Sequence, residues 1–161
     1  FFEISKKKYS SIALKEFFQY MYVPCPLSIY ENIYKLEPGC ILEIDLNTKK
    51  VIGPIVRDLW MPHNVELIKG SFYVLDSLKG HLRGNNFNIL GDFPAFSRGL
   101  AHDGRYFFIG QSRNRNYSKN LGLSNNISID AGIIVFDEET KVSRLLQVSP
   151  KVSEIHSIRI F

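Results

Sequence analysis

"KGSFYVLDS" (Lys69–Ser77) and "DGRYFFIGQS" (Asp103–Ser112) are the two stretches on which the reading of the fold turns. Each runs from a turn glycine through a pair of aromatic residues and a further apolar pair to a small polar end. Laid on one another by their glycines, Gly70 and Gly104, they repeat at a spacing of 34. "HNVELI" and "SRGLAH" precede them as strand-like runs, and "AGIIVFDEETKVSRLLQV" reads as a further hairpin turning at Asp137 to Thr140. "VSEIHSIRIF" then reads as the opening strand of a third unit. Units of about 35–45 residues, each made of short antiparallel strands, are the signature of propeller blades. A β-sandwich of unrelated hairpins is the alternative.

Upstream the pattern is different. "SSIALKEFFQYMY" places Ile12, Leu14, Phe17, Phe18 and Met21 near helical spacing, with Ser10 or Ser11 available as N-cap, which predicts a helix from about Ser11 to Tyr20. Pro24 and Pro26 stop it, because each lacks an amide donor and biases its predecessor to extended geometry. "CILEIDLNTKKVIGPIV" alternates in period two around an "LNTKK" turn and predicts a hairpin. The expected architecture is therefore mainly β. Residues 1–55 form a short helix, a Pro-rich loop and a β-hairpin, and residues 56–161 form a partial antiparallel propeller-like domain. The chain starts at Phe1 and stops in a strand-like run, so a longer protein is expected, with missing blades or a partner chain covering open strand edges.

Composition narrows the function classes. An apolar share of 45% and a charged share of 22% are those of an ordinary globular protein. The net charge of +4 comes from scattered lysines and arginines, the tightest clusters being Lys6-Lys7-Lys8 and Arg113-Asn114-Arg115, which predicts no nucleic-acid partner. No signal-peptide pattern and no apolar run of transmembrane length is present, so no membrane association and a cytoplasmic location are expected. Cys25 and Cys40 stand too far apart for a CxxC site and lack a histidine cluster, so two free thiols and no metal are expected.

"ALKEFFQYMYVPCPLSIYENIYKLEPGCILEIDLNTKK" resembles bacterial glutamine-hydrolysing asparagine synthetases over Ile12 to Lys50. Tyr22-Val23-Pro24, Pro26, Ile29, Ile33, Lys35-Leu36 and Pro38-Gly39 fall in that family's order, while Met21 stands where it usually has Gly and Cys40 where His is usual. The resemblance implies the linker between the amidotransferase and synthetase halves. It implies no activity in this chain, which has neither an N-terminal cysteine nor the "SGG-DS" pyrophosphate loop. ATP and Mg would enter only with a complete parent enzyme, and no cofactor is expected here. Met61 to Phe161, through "MPHNVELIKGSFYVLDSLKG", "FSRGLAHDGRYFFIGQSRNR", "AGIIVFDEETK" and "VSEIHSI", resembles a bacterial family of conserved hypothetical proteins with a propeller-like core.

The candidate site residues follow from these placements. His63, after Pro62, and His102, in "AHDG", are read as rim histidines on equivalent edges of the two units, able to bind a ligand, ligate a metal or serve as acid and base, or else to cap a strand end or bond a backbone carbonyl. Arg98, ahead of Gly99, is placed to clamp a carboxylate or phosphate, or to form an ion pair with Asp92 or Asp103. The polar run Gln111 to Asn126 offers Ser112, Arg113, Arg115 and Tyr117 to a sugar or phosphate. Glu154 is expected to pair with an arginine across units. No catalytic set is legible: there is no Ser-His-Asp order and no carboxylate pair. The leading expectation is a non-catalytic fragment joining an asparagine-synthetase-like linker to propeller-like blades. The alternatives are a β module binding a small polar or anionic ligand through Arg98, or an enzyme using the rim histidines.

Overall fold

The computed structural model describes residues 7–84, 86–113 and 130–161. It divides into two compact units, residues 1–58 and 59–161.

In the first unit, helix α1 spans Ser11–Tyr20. The Ser10 hydroxyl accepts the Ala13 amide at 3.2 Å, satisfying one of the donors that a helix start leaves open. Met21 ends the helix in the left-handed region at φ 61, its amide returning to the Phe17 carbonyl. Glycine is the residue that adopts that conformation without strain, and here a methionine holds it. The connector folds back on the helix start. The Ser10 amide donates to Ile29 O and the Glu31 amide to Lys8 O, both at 2.9 Å, and the rings of Tyr9 and Tyr30 stack at 5.6 Å. The Cys25–Pro26 peptide is cis. Strands β1 (Ile41–Asp45) and β2 (Lys50–Val56) form the expected hairpin, closed by Asp45, whose carboxylate accepts the Asn47 and Thr48 amides and the Thr48 hydroxyl. Cys25 and Cys40 are free thiols.

The second unit consists of two four-stranded antiparallel sheets, each in simple sequential order. The first holds β3 (Pro62–Ile68), β4 (Ser71–Asp76), β5 (His81–Gly84) and β6 (Asn88–Asp92). The second holds β7 (Phe96–His102), β8 (Tyr106–Ser112), β9 (Gly132–Asp137) and β10 (Ser143–Gln147). The chain is thus mainly β with one short helix. Among the described residues no helix is long and apolar enough to cross a membrane. "VSEIHSIRIF" is not a strand: residues 148–161 belong to no sheet, and the Arg113 amide donates to Ser153 O at 2.9 Å, linking that run to the end of β8.

The two sheets are structural repeats, but at a spacing of 35. Pro62↔Asp76 recurs as Ser97↔Gln111, His63↔Leu75 as Arg98↔Gly110, Val65↔Val74 as Leu100↔Ile109, and Leu67↔Phe72 as His102↔Phe107. Both first strands carry a bulge at the same point, with Asn64 (φ 50) and Gly99 (φ 74) as the left-handed residues. The glycine match at 34 fails because Gly70 is the second residue of its turn, between Ile68 and Ser71, whereas Gly104 is the first of its own, inside the Asp103–Tyr106 bond. A slip of one residue exchanges the two faces of a strand. Tyr73 therefore corresponds to Phe108 rather than Phe107.

That register decides the core. Tyr73, Leu75 and Leu82 on the front of the first sheet pack against Leu100, Phe107, Ile109, Ile134 and Phe136 on the back of the second, with Phe93 and Ala95 between them. Phe107 lies 5.0 Å from the Tyr73 ring, and Phe93 meets Phe136 edge-on at 5.4 Å. The strand connection is tight: a Cβ on Gly80, at φ 73, would sit 2.1 Å from the Phe93 carbonyl oxygen. First strands β3 and β7 pack side by side, each at a sheet edge.

Candidate functional site

The leading ends of β3 and β7 gather a polar cluster. The two bulges bring it about. At the first, Asn64 turns its side-chain oxygen to accept the Gly99 amide at 2.8 Å, tying one bulge to the other. This fixes His63 and Arg98, which are equivalent positions of the repeat, against one ring. Phe96 takes His63 edge-on at 5.6 Å and the Arg98 guanidinium at 5.1 Å, and is itself 7% exposed.

His63 Nδ1–H points to two acceptors, the Met61 carbonyl and the Ser77 hydroxyl, each at 2.8 Å. The neutral ring therefore carries its lone pair on Nε2. Burial lowers the His63 pKa from the ordinary 6.5. The hydrogen bond to Met61 opposes that fall, and the Arg98 and His156 charges add to it.

Arg98 Nη1 lies 3.4 Å from Glu154 Oε2 and 3.2 Å from His156 Nδ1, and His156 Nε2 is 3.1 Å from the same carboxylate oxygen. The partner of Arg98 is thus Glu154, neither Asp92 nor Asp103. Glu154 does pair with an arginine, but from the sheetless run after β10 rather than from a strand of a third unit. Among the described residues Arg98 Nε is buried without a partner, and so is the hydroxyl of Ser97, which as the preceding strand residue faces the other side of β7. A buried polar group left unbonded costs about 1–3 kcal/mol, which makes Arg98 Nε a donor open to a further acceptor.

Ser112 and Arg113, singled out as ligand contacts, bond to the run after β10. Ser112 Oγ accepts the Ile155 amide at 3.2 Å, the Arg113 amide donates to Ser153 O at 2.9 Å, and the Arg113 guanidinium donates to Pro150 O. They hold the segment that delivers Glu154 and His156 to Arg98. Gly99 and Gly110 make room for it: a Cβ at Gly99 would meet the Ser157 backbone at 3.0 Å, and one at Gly110 the Ile155 side chain at 2.6 Å. His102 is not on an equivalent edge to His63. It lies at the far end of β7, over Phe107 at 4.5 Å, where it accepts the Gly104 amide through Nδ1, and its counterpart in the first sheet is Leu67. Arg115 and Tyr117 lie outside the described residues. Among the described residues no three His, Cys, Asp or Glu side chains are grouped to hold a metal ion.

His81 is depressed as well, burial again leading, with Asp92 and Asp76 pulling the other way and Arg83 and Lys79 adding to the fall. Both histidines bind a proton more readily unfolded than folded, so their share of stability is complete above 6.5 and is lost as pH falls towards their folded values. The melting temperature should decline as pH is lowered from 7.5 through 6.5 to 5.5, and the decline should be shallower in His63→Gln. A flat profile across that window, or one unchanged by His63→Gln, would contradict the buried neutral ring. Asp45 and Asp103, lowered mainly by hydrogen bonds from Thr48 and Tyr106 respectively, contribute stability that is complete above 3.8 and is lost only as pH falls below it.

The fold and cluster together define an antiparallel β domain built from two repeated meanders, with charged and imidazole side chains gathered where its first strands begin. The chain belongs to the family described as domain of unknown function DUF4915, whose model matches residues 34–161. No curated protein and no solved structure matches the chain. The likeness of residues 12–50 to asparagine synthetases has no counterpart among these findings, and the match to DUF4915 begins within that stretch, at Tyr34.

Proposed function

We propose that the two meanders are successive blades of a propeller-like module, and that the cluster at the ends of their first strands binds a small anionic ligand. The observation that carries the binding reading is Arg98. It is a largely buried guanidinium, held over an aromatic ring with its Nε unpartnered among the described residues, and with a neutral imidazole as its repeat-equivalent neighbour. Arginine in a fixed orientation suits planar two-oxygen groups, which favours a carboxylate or phosphate.

The blade reading rests on the repeat and on its packing sense. Front-on-back packing does not close on itself, because one back remains. Phe107 and Leu100 on the covered back are 0% and 2% exposed, whereas their equivalents Phe72 and Val65 on the other back are 38% and 45% exposed; Val74 between these two is as fully buried as its equivalent Ile109. A further sheet of the same kind, presenting a front like that of Tyr73 and Leu75, fits that surface.

The test of the ligand site is a calorimetric titration with malonate at pH 6.5. Saturable binding is expected in the wild-type chain and at least a tenfold loss in Arg98→Ala, about 1.4 kcal/mol or more. Affinity should rise as pH is lowered through the His63 transition, because protonation adds a positive charge beside Arg98. Binding that is indifferent to Arg98→Ala, or absent altogether, would remove this reading.

A further inference from the structure

The opposite end of the same domain holds a concavity of about 300 Å³, walled by Ile68, Tyr73, His102, Arg105, Glu138 and Glu139. Its charges are unevenly satisfied. Lys69 Nζ, at the rim, donates to the Gly104 carbonyl at 2.9 Å. Arg105 is tied to Asp137 at 3.3 Å and lies over the Tyr106 ring at 4.9 Å. Asp137 is further occupied by the Glu139 and Thr140 amides. The carboxylates of Glu138 and Glu139 form no hydrogen bond or ion pair among the described residues.

A second observation points the same way. Tyr73 is only 9% exposed, and its hydroxyl makes no hydrogen bond among the described residues. The ring cannot turn away, being fixed by Phe107 on one side and by Gly84 on the other, where an added Cβ would lie 2.4 Å from Tyr73 Cδ1. Burial, and then the charge of Glu138, raise the Tyr73 pKa, so the hydroxyl stays protonated and lies within the field of that carboxylate.

We propose that this concavity is a binding site for a small organic ammonium, with Glu138 supplying the counter-charge, the Tyr73 oxygen accepting one N–H, and Ile68 covering a short carbon chain. Unpaired carboxylates disfavour an anion. A bare divalent ion is disfavoured too, since the described residues hold no group of three metal-ligating side chains here. The volume is at the lower end for small-molecule sites, which suits a ligand of a few heavy atoms.

The probe is n-butylammonium chloride, with n-butanol and magnesium chloride as controls, followed by calorimetry on the whole chain. One saturable site with a millimolar dissociation constant is expected. Glu138→Gln should weaken it at least tenfold and Tyr73→Phe at least threefold, while Arg98→Ala at the other end leaves it unchanged. Glu138 is only partly buried, so its amide variant keeps the fold. No saturation, an equal response to n-butanol or magnesium, or an undiminished affinity in Glu138→Gln would each overturn the proposal.

Discussion

Phe107→Ala is expected to lower stability by about 3–5 kcal/mol, while Phe108→Ala, the next residue and the same substitution, lowers it by only about 1–2 kcal/mol. Phe107 is fully buried between the sheets and touches the rings of Tyr73 and Phe136. Truncating it opens a cavity in the one cluster that both meanders share. Phe108 is half-buried on the opposite face of β8. Since domains of this kind are stable by only about 5–15 kcal/mol, Phe107→Ala should shift the urea midpoint severely. Equal losses, or the reverse order, would mean that the meanders repeat at 34 rather than 35.

The second large effect is expected at Asp76. Its carboxylate is 0% exposed, accepts the Trp60 amide at 2.7 Å, and takes both Nε and a terminal nitrogen of Arg83 at 3.1 Å. Lys79 adds a longer contact at 3.9 Å and lies over the Trp60 ring. Asp76→Asn keeps the shape but strands the Arg83 guanidinium, and about 3 kcal/mol of stability should go with it. Changing both, as Asp76→Asn with Arg83→Met, should recover part of that loss, because no charge is then left buried alone. If the double variant loses the full sum of the two single losses, the pair is not coupled and the ion pair does not organise this end of the sheet.

The elements of the fold were legible where one local rule governed them. Helix α1 followed from apolar spacing, with its cap narrowed to Ser10 or Ser11, of which Ser10 serves, and the β1–β2 and β9–β10 hairpins followed from alternation around polar turns. The register of the repeat was harder, because a glycine can serve either position of a two-residue turn. The better landmark was Asn64 against Gly99, two residue types suited to left-handed backbone, which aligns the units at 35 directly. The site was half legible. His63 and Arg98 were singled out separately, but their equivalence is hidden by their different chemistry. The parts played by Phe96, Asn64 and Ser77 come from the paired bulges. Glu154 and His156 reach Arg98 because Ser112 and Arg113 hold their segment in place, a tertiary arrangement no spacing announces.

His63 and Arg98 are expected to share one anion site. Proton NMR titration of the imidazole signals tests it most directly, with His63 assigned among the four histidines by the His63→Gln spectrum. His63 is predicted to titrate below 6.5 in the free chain, and to move upward when malonate occupies the site beside Arg98. A His63 titration at or above 6.5, or one that saturating malonate leaves in place, would contradict it.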